Sequence, residues 1–192
     1  LKWGCAFFDA DLDADVDVVI ANGHIYPQVD QAPELNESYR QLPFLLRNDE
    51  GRLADVSRDA GPGMQVAISG RGLAVGDYDD DGDLDLLVTG MDAPPLLLRN
   101  DPPRSGHWLK LRLLDRRGGP AINTRAVVTA GGKVQHREIR SGSSHQSQNA
   151  LELHFGLGPS TTVDRVEVVW PGGRKTTLDQ PEADRTLTIR EP

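Results

Sequence analysis

The most constraining feature of this sequence is an acidic nine-residue stretch, Asp77-Tyr78-Asp79-Asp80-Asp81-Gly82-Asp83-Leu84-Asp85. Carboxylates fall at the first, third, fifth and ninth positions, and a glycine falls at the sixth. This spacing lets alternate side chains and the backbone carbonyl of Asp83 surround one hard cation while the glycine takes a sharp turn. Oxygen ligands suit calcium, and the stretch has no Cys or His for zinc or copper. We therefore predict a calcium site formed by Asp77, Asp79, Asp81, Asp83 and Asp85.

The residues on either side of the acidic stretch are typical of strands. Residues 72–76 and 86–88 are short, apolar runs, and Val88 occupies the position where an EF-hand calcium loop needs a glutamate. The stretch is thus interpreted as a metal-binding turn of a β-hairpin. A solvated acidic turn without metal is the alternative.

The acidic stretch is repeated earlier in the chain. Residues 4–20 align without gaps on residues 72–88, with Ala14 in place of Gly82. If this position needs a left-handed backbone, alanine there costs about 1 kcal/mol, so we expect the first site to be the weaker one. The residues predicted to bind calcium in the first loop are Asp9, Asp11, Asp13, Asp15 and Asp17.

A second repeated sequence, the Leu-Leu-Arg-Asn-Asp echo, follows each acidic loop at residues 45–49 and 97–101. Residues 22–41 form an insertion present only in the first unit. Its His24 and Tyr26 are candidate recognition residues, with packing of the insertion as the alternative. Units of several short strands that recur along a chain are typical of β-propeller blades or solenoids.

The pattern changes after residues 102–106, which are rich in proline and polar residues. From Trp108 onward, apolar and polar residues alternate, which puts three leucines on one face of a strand. Further strands are predicted at residues 126–130, 134–139, 151–155, 163–170 and 186–189. We therefore predict an all-β chain with a partial β-propeller of about two calcium-loop blades at residues 1–105 and a β-sandwich at residues 106–192.

Charge and composition limit the classes of partner. Residues 1–105 hold 8 Lys and Arg against 20 Asp and Glu, and the basic residues of the second half are scattered. This distribution does not favour nucleic-acid binding, and no apolar run is long enough for a membrane helix.

Cys5 is the only cysteine, which excludes a disulfide within the chain, and its apolar neighbours predict a buried thiol.

No catalytic constellation can be recognised. Neighbouring serines and His145 do not form a nucleophile elbow, and His136, His145 and His154 are nine residues apart, without zinc-site spacing. The polar run at residues 141–149 is interpreted as a linker between strands, with a ligand-binding loop as the alternative.

The acidic repeats resemble FG-GAP/VCBS repeats, which form β-propeller blades, and residues 22–27 look like part of a penultimate blade. The second half resembles the ASPIC/UnbV domain of the cartilage acidic protein-like family. The motifs that carry the second resemblance are Arg140-Ser141-Gly142, Ser147-Gln148, and residues 153–158, 163–168 and 170–173. The resemblance implies a secreted, extracellular or periplasmic calcium-binding protein and the C-terminal part of a longer chain that contains further blades.

Three hypotheses for function follow. The first is a non-enzymatic, calcium-stabilised interaction or adhesion module that binds a glycan, a matrix component or a protein partner. The second is an enzyme or an accessory factor in polysaccharide or secondary-metabolite processing. The third is a structural protein that self-associates through an exposed blade edge.

Overall fold

The computed structural model describes residues 1–101 and 106–192, and in this part of the chain the structure is all β, apart from three short 3₁₀ turns. The turns are Pro27–Gln31, Pro33–Leu35 and Pro62–Gln65. The strands are β1 (Lys2–Phe8), β2 (Asp17–Asn22), β3 (Phe44–Asp49), β4 (Arg52–Asp55), β5 (Ser69–Gly76), β6 (Asp85–Met91), β7 (Ala93–Leu98), β8 (His107–Leu114), β9 (Arg125–Ala130), β10 (Lys133–Glu138), β11 (Leu153–Gly158), β12 (Arg165–Val169), β13 (Lys175–Asp179) and β14 (Arg185–Arg190).

The first half contains two antiparallel sheets with the orders β1-β2-β3-β4 and β5-β6-β7. Both sheets contribute to one buried cluster, in which Val19 and Leu73 are fully buried. The acidic loops are the turns of the hairpins β1–β2 and β5–β6. The strands confirm the all-β prediction. Neither sheet is closed within the described residues, so the β-propeller stays a hypothesis.

The second half also contains two sheets, with the orders β10-β9-β12-β13 and β11-β8-β14. All strand pairs in them are antiparallel except β8 with β14, which is parallel. Leu109, Leu111 and Leu113 of β8 lie in a buried cluster to which both sheets contribute, as the alternating pattern predicts. Strand β13 was not predicted from the sequence. The predicted domain boundary falls at residues 102–105, outside the described residues, and stays a prediction.

The prediction of a buried Cys5 was wrong, because the side chain is exposed. Alternation along β1 explains the error. Ala6 and Phe8 point into the core, so Cys5 and Phe7 lie on the opposite face of the strand. Partial burial of the thiol still raises the pKa of Cys5.

The insertion at residues 22–41 packs against the β5 end of the second sheet. The carbonyl oxygen of His24 accepts hydrogen bonds from Ser69 Oγ and from Arg71 Nη2, both at 2.9 Å. Tyr26 is exposed.

None of the helical turns in the described residues has the length and the apolar composition of a membrane-spanning helix.

Candidate metal centre

Each acidic loop is folded by hydrogen bonds from backbone N–H groups to its first aspartate. Asp9 Oδ2 accepts from the amide of Ala14 at 2.9 Å, and Asp77 Oδ2 accepts from the amide of Gly82 at 3.1 Å. These bonds link the first and sixth positions of each loop. The sequence repeat is therefore also a repeat of loop conformation.

The last aspartate of each loop is held by two backbone amides. Asp17 Oδ2 accepts from Ala10 at 2.8 Å, and Asp17 Oδ1 accepts from Asn48 at 2.7 Å. In the second loop, Asp85 accepts equivalent bonds from Tyr78 at 3.0 Å and from Asn100 at 2.9 Å. These bonds tie each loop to the next strand or its end.

The bond to the last aspartate gives the repeated Leu-Leu-Arg-Asn-Asp sequence a structural role that was not predicted. Asn48 lies in β3, and Asn100 follows β7 at the equivalent position of the second unit. Each asparagine donates to the last aspartate of its loop through its backbone amide, so the type of side chain could not predict this hydrogen bond. The recurrence of the same five residues after each loop was the available signal.

The structure brings six of the ten predicted ligand residues into two groups. In each group, one carboxylate oxygen per residue lies within 4.8 Å of the others. The groups are Asp9 with Asp11 and Asp17, and Asp77 with Asp79 and Asp85.

The other four predicted residues lie outside these groups. Asp13 Oδ1 accepts from the amide of Asp15 at 2.7 Å, and Asp81 Oδ1 accepts from the amide of Asp83 at 3.0 Å. The carboxylate of Asp15 accepts from Lys133 at 3.2 Å. Asp83 is buried. The proposed use of the carbonyl oxygens of Asp15 and Asp83 stays a prediction.

Asp9, Asp17 and Asp85 are buried among other carboxylates, whereas Asp79 is exposed, so each site places at least one buried carboxylate where positive charge is favourable. Burial, followed by the charge of Asp13, raises the pKa of Asp9 to about 7. Burial also raises the pKa values of Asp17 and Asp85. A bound cation would favour the ionised form of each group.

Two oxygens in the loops lack the hydrogen bonds that buried polar atoms normally make. Among the described residues, no hydrogen-bond partner is found for the buried atoms Asp11 Oδ1 and Asp77 Oδ1. One such oxygen is present in each group. An acceptor without a donor, placed among other carboxylates, fits a metal ligand, and a set of oxygens alone fits a hard cation such as calcium.

Both loops require left-handed backbone at the same two positions. In the first loop, Leu12 and Ala14 have φ values of 62° and 74°. In the second, Asp80 and Gly82 have φ values of 59° and 100°. Ala14 therefore has the left-handed backbone in which an alanine is predicted to be strained. Whether the first site binds metal more weakly stays a prediction.

The outward face of β8 and β11 covers the second loop. Lys110 Nζ of β8 donates to Asp77 Oδ2 at 2.7 Å and to Asp80 Oδ1 at 3.0 Å. His154 of β11, which pairs in register with Lys110, lies with Nε2 at 2.7 Å from the carbonyl oxygen of Gly82. A loop of the first half is therefore bound by side chains of the second half.

The first loop contacts the second half through glycines. The amide of Gly158 donates to the carbonyl oxygen of Leu12 at 2.8 Å. A Cβ atom on Gly156 would lie 2.0 Å from Asp9 Oδ2, so the backbone of β11 approaches the first loop closely. Both candidate metal loops thus lie where the two halves of the chain meet.

Residues 141–149 link β10 to β11, as predicted, and they also contact the first half. Ser147 Oγ accepts from the amide of Leu73, and Asn149 Oδ1 accepts from the amide of Val75, both at 3.1 Å. Ala150 then donates to the carbonyl oxygen of Val75 at 2.8 Å. The segment lies along β5. A role as a ligand-binding loop stays the untested alternative.

Comparison with protein families defines the second half. Residues 115–192 match the family described as ASPIC and UnbV. The match covers β9 to β14, which include most of the second buried cluster. Residues 115–192 are therefore similar to the ASPIC and UnbV family, and β8 lies before the matched residues.

Individual relatives extend the similarity beyond this domain. The chain is similar to cartilage acidic protein 1 of Mus musculus, with 29% identity over 143 residues, and of Homo sapiens, with 28% identity over 143 residues. The same protein of Xenopus tropicalis is 30% identical over 139 residues. These matches cover 68–72% of this chain but only 21–22% of the relatives, so the chain spans about a fifth of their length.

Proposed function

We propose that each acidic loop binds one calcium ion. Asp9, Asp11 and Asp17 would hold the first ion, and Asp77, Asp79 and Asp85 would hold the second. The observation that carries this proposal is the convergence of three carboxylates in each loop, with a buried oxygen in each group that has no hydrogen-bond partner among the described residues. The ion would supply the positive charge that buried, mutually repelling carboxylates need.

The two hairpin sheets are proposed to be FG-GAP/VCBS-like blades of a β-propeller in a longer chain. Support comes from the repeated loop conformation and from the buried cluster that the two sheets share. The small share of the relatives that this chain covers agrees with a longer parent protein. The ASPIC and UnbV half is proposed to be a β-sandwich that packs on these blades.

We further propose that the protein is an extracellular interaction module for a glycan, a matrix component or a protein partner. The relatives are named for cartilage, a tissue rich in extracellular matrix. Calcium in the loops would stabilise the hairpins and the contact between the halves, and neighbouring surfaces would bind the partner. No residue of the chain is assigned a catalytic role.

A matrix-binding experiment tests this function. The chain would be applied to immobilised sulfated glycans and cartilage matrix proteins in calcium and in chelator. We expect saturable binding in calcium, reduced at least tenfold in chelator and in the Asp11→Asn variant. Asp49→Asn, which changes an exposed aspartate outside both groups, is the matched control and should bind like the unmodified chain. Binding to none of these surfaces, or equal binding in chelator, would contradict the proposal.

A further inference from the structure

The ion pair between Lys110 and Asp77 is almost completely buried. The exposed fractions of the two side chains are 3% and 1%. Two charges removed from water stabilise a fold only when they satisfy each other, and removal of one partner leaves a buried, uncompensated charge. This pair therefore strongly couples the second loop to β8.

The position of Lys110 is fixed by its neighbours. Its ammonium lies 5.7 Å from the centre of the Trp108 ring, and Trp108 stacks on His154. The Lys110 ammonium donates to two carboxylates, Asp77 at 2.7 Å and Asp80 at 3.0 Å. The lysine is thus charged where it meets the loop.

Lys110 bonds to only one of the two carboxylate oxygens of Asp77. The ammonium and the amide of Gly82 both bond to Oδ2, whereas Oδ1 is the buried oxygen without a hydrogen-bond partner. Lys110 can therefore hold the Asp77 carboxylate in place and leave Oδ1 without a donor.

The first loop has no equivalent lysine. Among the described residues, no cation lies within ion-pair distance of Asp9, although the charge of Arg137 acts on it from farther away. Lys133 does contact this loop, but at Asp15 and at the carbonyl oxygen of Asp13, with about half of its side chain exposed. The buried carboxylates of the two loops thus differ in their built-in counter-charge.

We propose that Lys110 is a positioning residue that serves as a built-in cation for the second loop. It keeps this loop folded and bound to the second half without metal, whereas the first loop depends on a bound ion. The contrast between the loops rests on the calcium sites proposed above, but the role of Lys110 in the metal-free chain does not.

Hydrogen exchange of two equivalent amides, measured by NMR in chelator, tests this inference. Gly82 and Ala14 both donate to the first aspartate of their loop, so they report on the second and first loops. In the unmodified chain we expect Gly82 to be protected and Ala14 to exchange faster. Lys110→Met should accelerate exchange of Gly82 about a hundredfold and leave Ala14 unchanged, because it leaves a buried charge unpaired.

Two further variants make the result decisive. Lys133→Met removes a lysine that contacts the other loop at the surface, and it should leave Gly82 protected. Lys110→Met combined with Asp77→Asn removes both charges and should restore protection of Gly82, even if Lys110→Met alone unfolds. Protection of Gly82 that persists in Lys110→Met, or that the double variant fails to restore, would overturn the inference.

Failure of the inference and failure of the calcium proposal can be told apart. The exchange comparison is made entirely in chelator, so it gives a result even if the chain binds no calcium. A chain that took up no calcium but lost protection of Gly82 in Lys110→Met would refute the metal sites and support the role of Lys110.

Discussion

At the scale of single residues, the two loops form the same turn with different side chains at the sixth position. The sixth position has a left-handed backbone in both, occupied by Ala14 in the first loop and Gly82 in the second. A Cβ atom in this conformation crowds the neighbouring carbonyl oxygen, whereas glycine avoids the clash. The strain at Ala14 is present without a bound ion, so it acts on folding as well as on metal binding.

Ala14→Gly should stabilise the metal-free chain by about 1 kcal/mol, because removal of the Cβ relieves the strained φ. Urea unfolding in chelator would measure this change. Gly82→Ala is the reciprocal variant and should be strongly destabilising, since its Cβ would lie 2.1 Å from Trp108 Nε1. A destabilising effect of Ala14→Gly would show that the turn is not strained.

His154 gives the fold a specific sensitivity to acid. It is buried, and burial lowers its pKa to about 4. Because Nε2 lies against the carbonyl oxygen of Gly82, the neutral ring donates there, and Nδ1 is buried without a hydrogen-bond partner among the described residues. A second proton on Nδ1 would have no acceptor, so the folded chain favours the neutral ring.

Stability should therefore fall as the pH drops from about 6.5 towards about 4, because in this window the unfolded chain binds a proton that folded His154 does not. The loss is at most about 1.4 kcal/mol per pH unit for one group. Unfolding free energies of the unmodified chain and of His154→Gln in chelator would be compared between pH 7 and pH 4.5. The raised pKa of Asp9 acts in the opposite direction in both proteins and largely cancels in the comparison. Equal pH slopes would rule out this role of His154.

At the scale of elements, the repeated unit is a hairpin with an acidic turn, followed by a strand whose end donates to the last aspartate. The loop spacing predicted both hairpins, and alternation predicted the buried leucines of β8. Lys110 could not be identified in this way, because alternation gives only its face of the strand. Its partner, Asp77, is 33 residues away and is reached only in the folded chain. Exposure of Cys5 was missed because apolar neighbours in a strand do not show which face is covered.

Each loop should contribute separately to the stability of the calcium-bound chain. Asp79→Asn and Asp11→Asn each remove one carboxylate from one group. At a calcium concentration about 100 times the dissociation constant of the weaker site, that site adds about 2.7 kcal/mol and the tighter site adds more. Each variant should therefore lose part of the calcium-dependent rise in melting temperature, Asp79→Asn the larger part, with Asp49→Asn as the unchanged control. A full rise in both variants would contradict metal binding by these groups.

At the scale of the whole molecule, the second half covers the acidic loops of the first half. The outward face of β8 and β11 provides the contacts, which include Lys110, His154 and Gly156. Such an arrangement couples any ion in the loops to the contact between the halves. We therefore expect the two halves to unfold together and not as independent units.

Gly156→Ala tests this coupling, because the added Cβ would lie 2.0 Å from Asp9 Oδ2. Overpacking of this kind typically destabilises a protein by about 1–3 kcal/mol. In scanning calorimetry, we expect a lower melting temperature and separation of the single transition into two. Gly172→Ala is the matched control in the same half, since a Cβ there meets no atom within 4 Å. Equal effects of the two substitutions would refute close docking at Gly156.

The most direct test of the account is isothermal titration calorimetry of calcium into the chelator-stripped chain. We predict uptake of two calcium ions per chain, with one ion lost in Asp11→Asn and one in Asp79→Asn. A chain that takes up no calcium, or that still binds two ions in either variant, would contradict the central claim that the two acidic loops are metal sites.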